Sequence, residues 1–258
     1  MTDLISAPDI PWPWAFPGRQ DRIHYFPRTG STMDDARRLA DRGCPHMTVV
    51  IAGVQTKGRG RMDRTWASDD GGLYFTMVIK PEGVVRPAEA VKFNFMASLA
   101  LAETIREECR VDARVKWPND LMVEGRKLSG MLSEMEAPDG VIDYVNIGIG
   151  LNVNNDPPAI DPPPVSLRSL TGRSFSRIRI LGLFLDRFEA LLQNRPDFAA
   201  VMTGWKKYAG SLNREVTIVT LRETLHGFAE DVDGQGALVL RLADGTRRTV
   251  CCGDCFYG

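Results

Sequence analysis

The sequence predicts an α+β chain in two parts, a larger domain of strands and helices followed by a small closed β-barrel. Two observations carry that reading. β-Branched runs are interleaved with helical apolar spacing as far as residue 208, and beyond Gly210 the texture changes to short β runs alone. A chain of 258 residues is also long enough for one good-sized domain with a small appendage.

The elements follow in order. Residues 1–21 form a Pro/Trp-rich arm, too short and too broken by proline to fold alone. RIHYF (22–26) alternates apolar and polar positions and predicts a strand. In TGSTMDDARRLADRG, Ser31 or Thr32 is placed to cap a short helix that carries Asp34 and Asp35 in its first turn and ends at Gly43. MTVVIAGVQ (47–55) and GLYFTMVIK (72–80) are β-branched or aromatic and strand-like. From Ala88 to about Cys109 apolar residues recur at helical spacing, which predicts the longest helix.

VDARVKW then reads as a strand, WPND as a turn, and RKLSGMLSEME and VIDYVNIGIGLNV as two further strands, with EGR (124–126) and APDG (137–140) as hairpin turns. DPPAIDPPP (156–164) is a proline-rich loop, and helical patterns occupy 177–193 and 196–208. REVTIVT, TLHGFAEDV, GALVLRL and RRTVCCG supply the barrel. The expected division is therefore 1–21, 22–208 and 209–258.

Charge excludes some partners. With 32 basic against 33 acidic residues, no overall field attracts nucleic acid or an anionic membrane. The N-terminus has neither the basic nor the apolar region of a signal peptide, and no run approaches the roughly 18 apolar residues of a spanning helix. Five cysteines outside any disulfide-like spacing point to a reducing cytoplasm. Cys251, Cys252 and Cys255 lack a fourth ligand at zinc spacing, so they are expected to be ordinary thiols in a final strand, with no protein-bound metal.

Three stretches carry chemistry. GRGRMDRTW (58–66) places Arg59, Arg61 and Arg64 around Gly58 and Gly60, with Trp66 close behind. Glycine lets backbone approach a ligand, and the arginine fork suits carboxylate and phosphate oxygens. On a neutral protein such a loop favours a small anion over a polyanion; alone, it is as readily a solvated surface loop. RVKWPNDLMVEGRKLSGMLSE (114–134) holds Lys116 and Lys127, two of only seven lysines, with Asn119 and Asp120 at a strand end. Taken singly these are ordinary strand-end and turn residues. NIGIGLNVNN (146–155) sets Gly148 and Gly150 in a β-branched strand, the mark of a bulge, tight packing or a close approach.

Together, and in this order, G30-S-T-M33, Q55-T-K-G-R-G-R-M-D-R-T-W66, K116-W-P-N-D-L121, K127-L-S-G-M-L-S-E134 and G148-I-G-L-N152 resemble the catalytic domain of biotin protein ligases over about residues 22–155. The β tail, with FAEDVDGQGALVL (228–240) and a closing Gly-Asp, is similar to that family's Src-homology-3-like C-terminal barrel. Met33 stands where the family more often has asparagine, and Met62-Asp63 replaces a more basic pair. About twenty residues precede the first motif, so the winged helix-turn-helix of the family's repressor forms is expected to be absent.

The resemblance implies a mixed-sheet catalytic domain and two half-reactions. Biotin and ATP-Mg²⁺ give biotinyl-5′-AMP and pyrophosphate, and a lysine of a biotin carboxyl carrier protein then displaces AMP. It implies that Ser31, Thr32, Met33, Gln55, Gly58, Gly130 and Gly148 line the biotin site. Arg59, Gly60, Arg61 and Lys127 would wrap the carboxylate and phosphate; Arg64, Trp66, Asn119 and Asn152 would serve the adenylate. Lys127, Arg61, Asp120 and Lys116 would do the chemistry, with Asp120 orienting magnesium or the incoming amine. The loop is expected to be mobile when empty and to order over the ligand. The chain would act as a monomer or homodimer, without nucleic acid or membrane. A lipoate or octanoate ligase of the same fold is the nearest alternative, though its Arg-Arg-x-x-Gly-Gly-Gly block is missing. A non-catalytic RNA-binding module is the more distant one.

Overall fold

A computed structural model describes residues 16–158, 163–193 and 198–257. Most of the N-terminal arm, the middle of the proline-rich loop and the start expected for the helix at 196 lie outside the described residues.

The first part is a seven-stranded sheet with helices on both faces. Its elements are β1 (Ile23–Thr29), α1 (Thr32–Asp41), β2 (Thr48–Gln55), β3 (Leu73–Ile79), α2 (Val91–Thr104), β4 (Arg114–Lys116), β5 (Asp120–Val123), β6 (Arg126–Glu136) and β7 (Tyr144–Leu151). The strand order is β1-β2-β3-β7-β6-β5-β4. β1 and β2 are parallel, joined across α1, and every other pair is antiparallel, so the sheet is mixed. Three helices follow: α3 (Leu167–Thr171), α4 (Arg177–Gln193) and α5 (Phe198–Tyr208). Among the described residues no helix is long and apolar enough to cross a membrane.

Alternation along β7 explains where the core and the site lie. Val145, Ile147, Ile149 and Leu151 are buried in the main core, which also holds Phe95 of α2 and Phe184 and Phe188 of α4. α2 is buried almost all round, from Asn94 to Ala102, because the sheet, α4 and α5 enclose it. On the opposite face, Ala36 and Ala40 of α1 pack on Val50, Val78 and Tyr144. α1 covers only one end of that face, and the glycine end is left for the site.

The C-terminal part is a five-stranded antiparallel sheet in the order β11-β10-β9-β8-β12. Its strands are β8 (Arg214–Val219), β9 (Thr224–Val232), β10 (Leu238–Arg241), β11 (Arg247–Val250) and β12 (Asp254–Tyr257). A bulge between Val239 and Leu240 bends the β9–β10 pair.

Three local readings need correction. WPND is not only a turn, because Asp120 already opens β5, a strand too short for its alternation to stand out. α3 falls where no element is expected; at five residues it shows no apolar period and is announced only by the capping pair of Ser166 and Ser169. The final run is two strands, with Cys251 and Cys252 exposed in the bend between them and only Cys255 in β12.

Candidate active site

The glycine end of the sheet opens into a cavity of about 490 Å³. Its wall includes every expected site residue except Gly58. Gly58 instead is buried at the base of the loop, where a Cβ would come within 2.3 Å of the Trp66 carbonyl oxygen and 2.6 Å of Ser68 Oγ.

One end of the cavity is polar and neutral. Ser31 sits at the N-cap position of α1, but its side chain makes no capping bond, and its buried Oγ has no hydrogen-bond partner among the described residues. Thr32 donates through both its backbone N–H and its hydroxyl to Gln55 Oε1, at 2.8 and 3.1 Å, and Gln55 Nε2 donates to Ser68 Oγ at 2.9 Å. Thr76 in turn donates to Thr32 Oγ1 at 2.8 Å. This chain of bonds fixes the start of α1 against the end of β2.

The floor is made of glycine. Gly130 of β6 and Gly150 of β7 face one another in register, and Leu132 faces Gly148. A Cβ on Gly150 would lie 2.3 Å from Trp66 Nε1, and one on Gly130 would lie 2.9 Å from Trp66 Cζ3. A Cβ on Gly148 would lie 2.6 Å from Met33 Sδ. The glycines therefore seat this chain's own indole and thioether.

The remaining side is cationic, and its charges are paired. The β-bulge between Leu121 and Met122 sets Asp120 opposite Gly130 and Met122 opposite Lys127. Lys127 Nζ then lies 2.8 Å from Asp120 Oδ1 and 5.4 Å from the Trp66 ring centroid. Lys116 leans over the rings of Phe256 and Tyr257 at 5.6 and 5.1 Å. Arg59 is held by Asp34 at 3.1 Å and Glu134 at 2.9 Å. Arg61 donates to Asn119 Oδ1 at 3.0 Å and to the Gly253 carbonyl at 3.2 Å, and Arg64 is ion-paired with Asp254. Asn152 is buried and accepts from Asn155 Nδ2 at 3.0 Å.

In this structure the loop forms a tight turn. Gly60 N–H donates to Arg64 O at 2.7 Å, and Trp66 N–H to Gly58 O at 3.0 Å. Met62 and Asp63 at its tip both have left-handed backbone, φ 53° and 56°, which glycine would adopt at lower cost.

The motifs did not announce that β12 closes the cavity with Asp254, Cys255 and Phe256. Asp254 meets Arg64 across 190 positions of chain, and no local pattern encodes such a contact. Cys255 is inert as a nucleophile, since burial pushes its thiol up to about 11. Chemically, the cavity offers hydrogen bonds at one end, an aromatic face, and cations where two anions could be brought together. At 4 Å two unit anions repel by about 4 kcal/mol at an effective dielectric of 20, a cost that convergent Arg and Lys side chains offset.

Known proteins resemble this chain in sequence and in fold. The family model described as Biotin/lipoate A/B protein ligase family matches residues 25–152, and that of the Biotin protein ligase C terminal domain matches 211–258. A biotin–[acetyl-CoA-carboxylase] ligase of Paracoccus denitrificans is 33% identical over 241 residues, which cover 90% of this chain and 98% of that protein. A bifunctional ligase/repressor of Bacillus subtilis is 31% identical, over 87% of this chain and 70% of its own length. The solved biotin protein ligase of Aquifex aeolicus in complex with biotin and ATP shares the fold, with a TM-score of 0.80 at 24% identity over 92% of this chain and 99% of that one. With both family models matched in order, and with relatives 31% and 33% identical matched over 70% and 98% of their own lengths, the chain belongs to the biotin protein ligase family.

Proposed function

We propose that this cavity carries out both half-reactions of an ATP-dependent biotin protein ligase. The carboxylate of biotin attacks the α-phosphate of ATP, pyrophosphate leaves, and biotinyl-5′-AMP remains bound. The amine of a carrier-protein lysine then attacks the acyl carbon and AMP leaves. The observation that carries this reading is the convergence of Lys127, Arg61 and Arg64 on one cavity with a neutral hydrogen-bonding end at Ser31, Thr32 and Gln55.

Each residue has a task in the proposal. Ser31 Oγ, free to donate or accept, and the Thr32–Gln55 pair hold the ureido ring. Met33 and Gly148 shape the apolar wall beside it, and Trp66, seated on Gly130 and Gly150, offers the ligand its open ring face. Lys127 stands where carboxylate and α-phosphate meet, steadied by Asp120, and Arg61 and Arg64 take phosphate oxygens. Arg59 and Gly60 hold the loop in place, Gly58 closes its base through the bond from Trp66 N–H, and Lys116, Asn119 and Asn152 line the nucleotide side.

Among the described residues no group of three or more His, Cys, Asp or Glu gathers as a metal site. Asp120 is engaged with Lys127 and Asp254 with Arg64. Magnesium would therefore arrive bound to the nucleotide's own phosphates. Catalysis rests on position and charge. A biotin carboxyl carrier protein as acceptor, a cytoplasmic location, action as monomer or homodimer without nucleic acid, and a domain division near residue 209 belong to the same proposal.

The test is ATP–pyrophosphate exchange, run with biotin and then with lipoate. Exchange is expected with biotin alone, and a folded Lys127→Ala protein should lose it by at least about a hundredfold, the scale of removing one positioned charge in a sheltered site. Lipoate-dependent exchange, or normal exchange by Lys127→Ala, would refute the assignment.

A further inference from the structure

The loop's arginines are held by carboxylates from two sources. Arg59 is taken by Asp34 of α1 and Glu134 of β6, both from the large sheet's part of the chain. Arg61 and Arg64 are taken by Asp254, the first residue of β12 in the other sheet. Asp254 also lies on the cavity wall. We propose that Asp254 competes with the phosphates of ATP for Arg61 and Arg64, and so acts as a positioning residue that weakens nucleotide binding and ties it to the docking of the C-terminal sheet. The inference rests on the assignment of these two arginines to phosphate.

The geometry gives the effect its sign. Arg64 Nη2 is ion-paired with Asp254 Oδ2, and Arg61 Nη1 is 3.9 Å from Asp254 Oδ1. Asp254 and Arg61 are sheltered, with side chains 22% and 23% exposed, so solvent and salt screen their charges only in part. A phosphate reaching the same forks must displace the carboxylate or lie beside it. Displacement gives up an existing ion pair, and coexistence sets like charges together. Either way Asp254 opposes the nucleotide.

A brace would have the opposite sign, because losing it would disorder the loop and weaken ATP binding. The loop has other supports, however. Its turn is closed by the Gly60–Arg64 and Trp66–Gly58 bonds, and Arg61 keeps Asn119 and the Gly253 carbonyl without any help from the Asp254 side chain. Binding linkage is reciprocal, so a nucleotide that takes the arginines loosens the start of β12 by the same factor.

The test uses Asp254→Asn, which keeps the shape and removes the charge, in biotin-dependent ATP–pyrophosphate exchange. The KM for ATP is expected to fall about three- to tenfold, the scale of a partly sheltered ion pair shared by two arginines. The maximal rate should stay within about twofold, the KM for biotin should not move, and Asp254→Glu should behave as the parent. A KM for ATP that is unchanged or raised in a folded Asp254→Asn protein overturns the proposal.

If that variant does not fold, hydrogen exchange on the unaltered protein decides. Amides of Gly253–Phe256 should exchange faster with biotin plus a non-hydrolysable ATP analogue than with biotin alone. Equal or slower exchange overturns the proposal. Absence of any pyrophosphate exchange by the parent protein would instead overturn the ligase assignment, and this inference with it.

Discussion

Gly148 and Gly150 sit two residues apart on one face of β7, yet they should tolerate change very differently. At Gly150 an added methyl would meet the rigid indole of Trp66, at 2.3 Å from Nε1 and 2.4 Å from Cε2. At Gly148 the nearest atom is Met33 Sδ, the far part of a flexible side chain. Gly150→Ala is therefore expected to push Trp66 out of its seat and cost about 1–3 kcal/mol. It should raise the KM for ATP about tenfold and shift the tryptophan fluorescence. Gly148→Ala should do much less, because the thioether can rotate. Thermal melts and exchange kinetics on the two variants check the contrast; equal effects would mean that Trp66 is not held by the glycine floor.

At the scale of an element, β1 forms one edge of the large sheet, and its His24 faces Val50 of β2 in register. Burial holds the His24 imidazole below its ordinary value near 6.5. The unfolded chain therefore takes up this proton first as pH falls. The contribution of neutral His24 is complete above about pH 6.5 and is lost as pH drops from there through the lower folded value. Melting temperature should fall between pH 7.5 and pH 5, and the fall should be smaller in His24→Gln. The same comparison separates out Glu103, whose carboxyl is raised by burial and works in the opposite direction. An unchanged pH profile in His24→Gln would remove β1 as the acid-sensitive edge.

Across the whole molecule the two sheets share buried contacts rather than a linker alone. Trp117 is 1% exposed; its indole N–H donates to the Gly236 carbonyl at 3.0 Å, and its backbone N–H donates to Ser211 Oγ at 2.8 Å. Gly236, at φ 83°, lets the C-terminal sheet approach Phe95 so closely that a Cβ would be 2.7 Å from the ring. The two sheets should thus unfold in one transition, with far-ultraviolet dichroism and tryptophan fluorescence coincident. Trp117→Ala is expected to cost about 3–5 kcal/mol and lower the melting temperature by about 6–20 °C. Two resolved transitions in the parent protein would show that the sheets are energetically independent.

Much of this was legible in the chain because it is locally encoded. The β-branched runs of β2, β3 and β7, the long apolar period of α2 and the change of texture after Gly210 each follow from residues a few positions apart. The candidate residues of the ordered blocks from Ser31 to Asn152 also converge, since one cavity gathers all of them but Gly58. What the tertiary structure alone decided is which charges meet and what the glycines are for. Asp254 reaches Arg64 and Arg61, Glu134 reaches Arg59, and Trp66 lies on Gly130 and Gly150, all through separations that no periodicity spans. Periodicity and capping reflect the backbone within a turn or a strand, whereas these contacts exist only after β12 docks beside the loop and β6 pairs with β7. Side-chain pairing across a packed interface depends on the relative placement of whole elements, and that placement is set by the core.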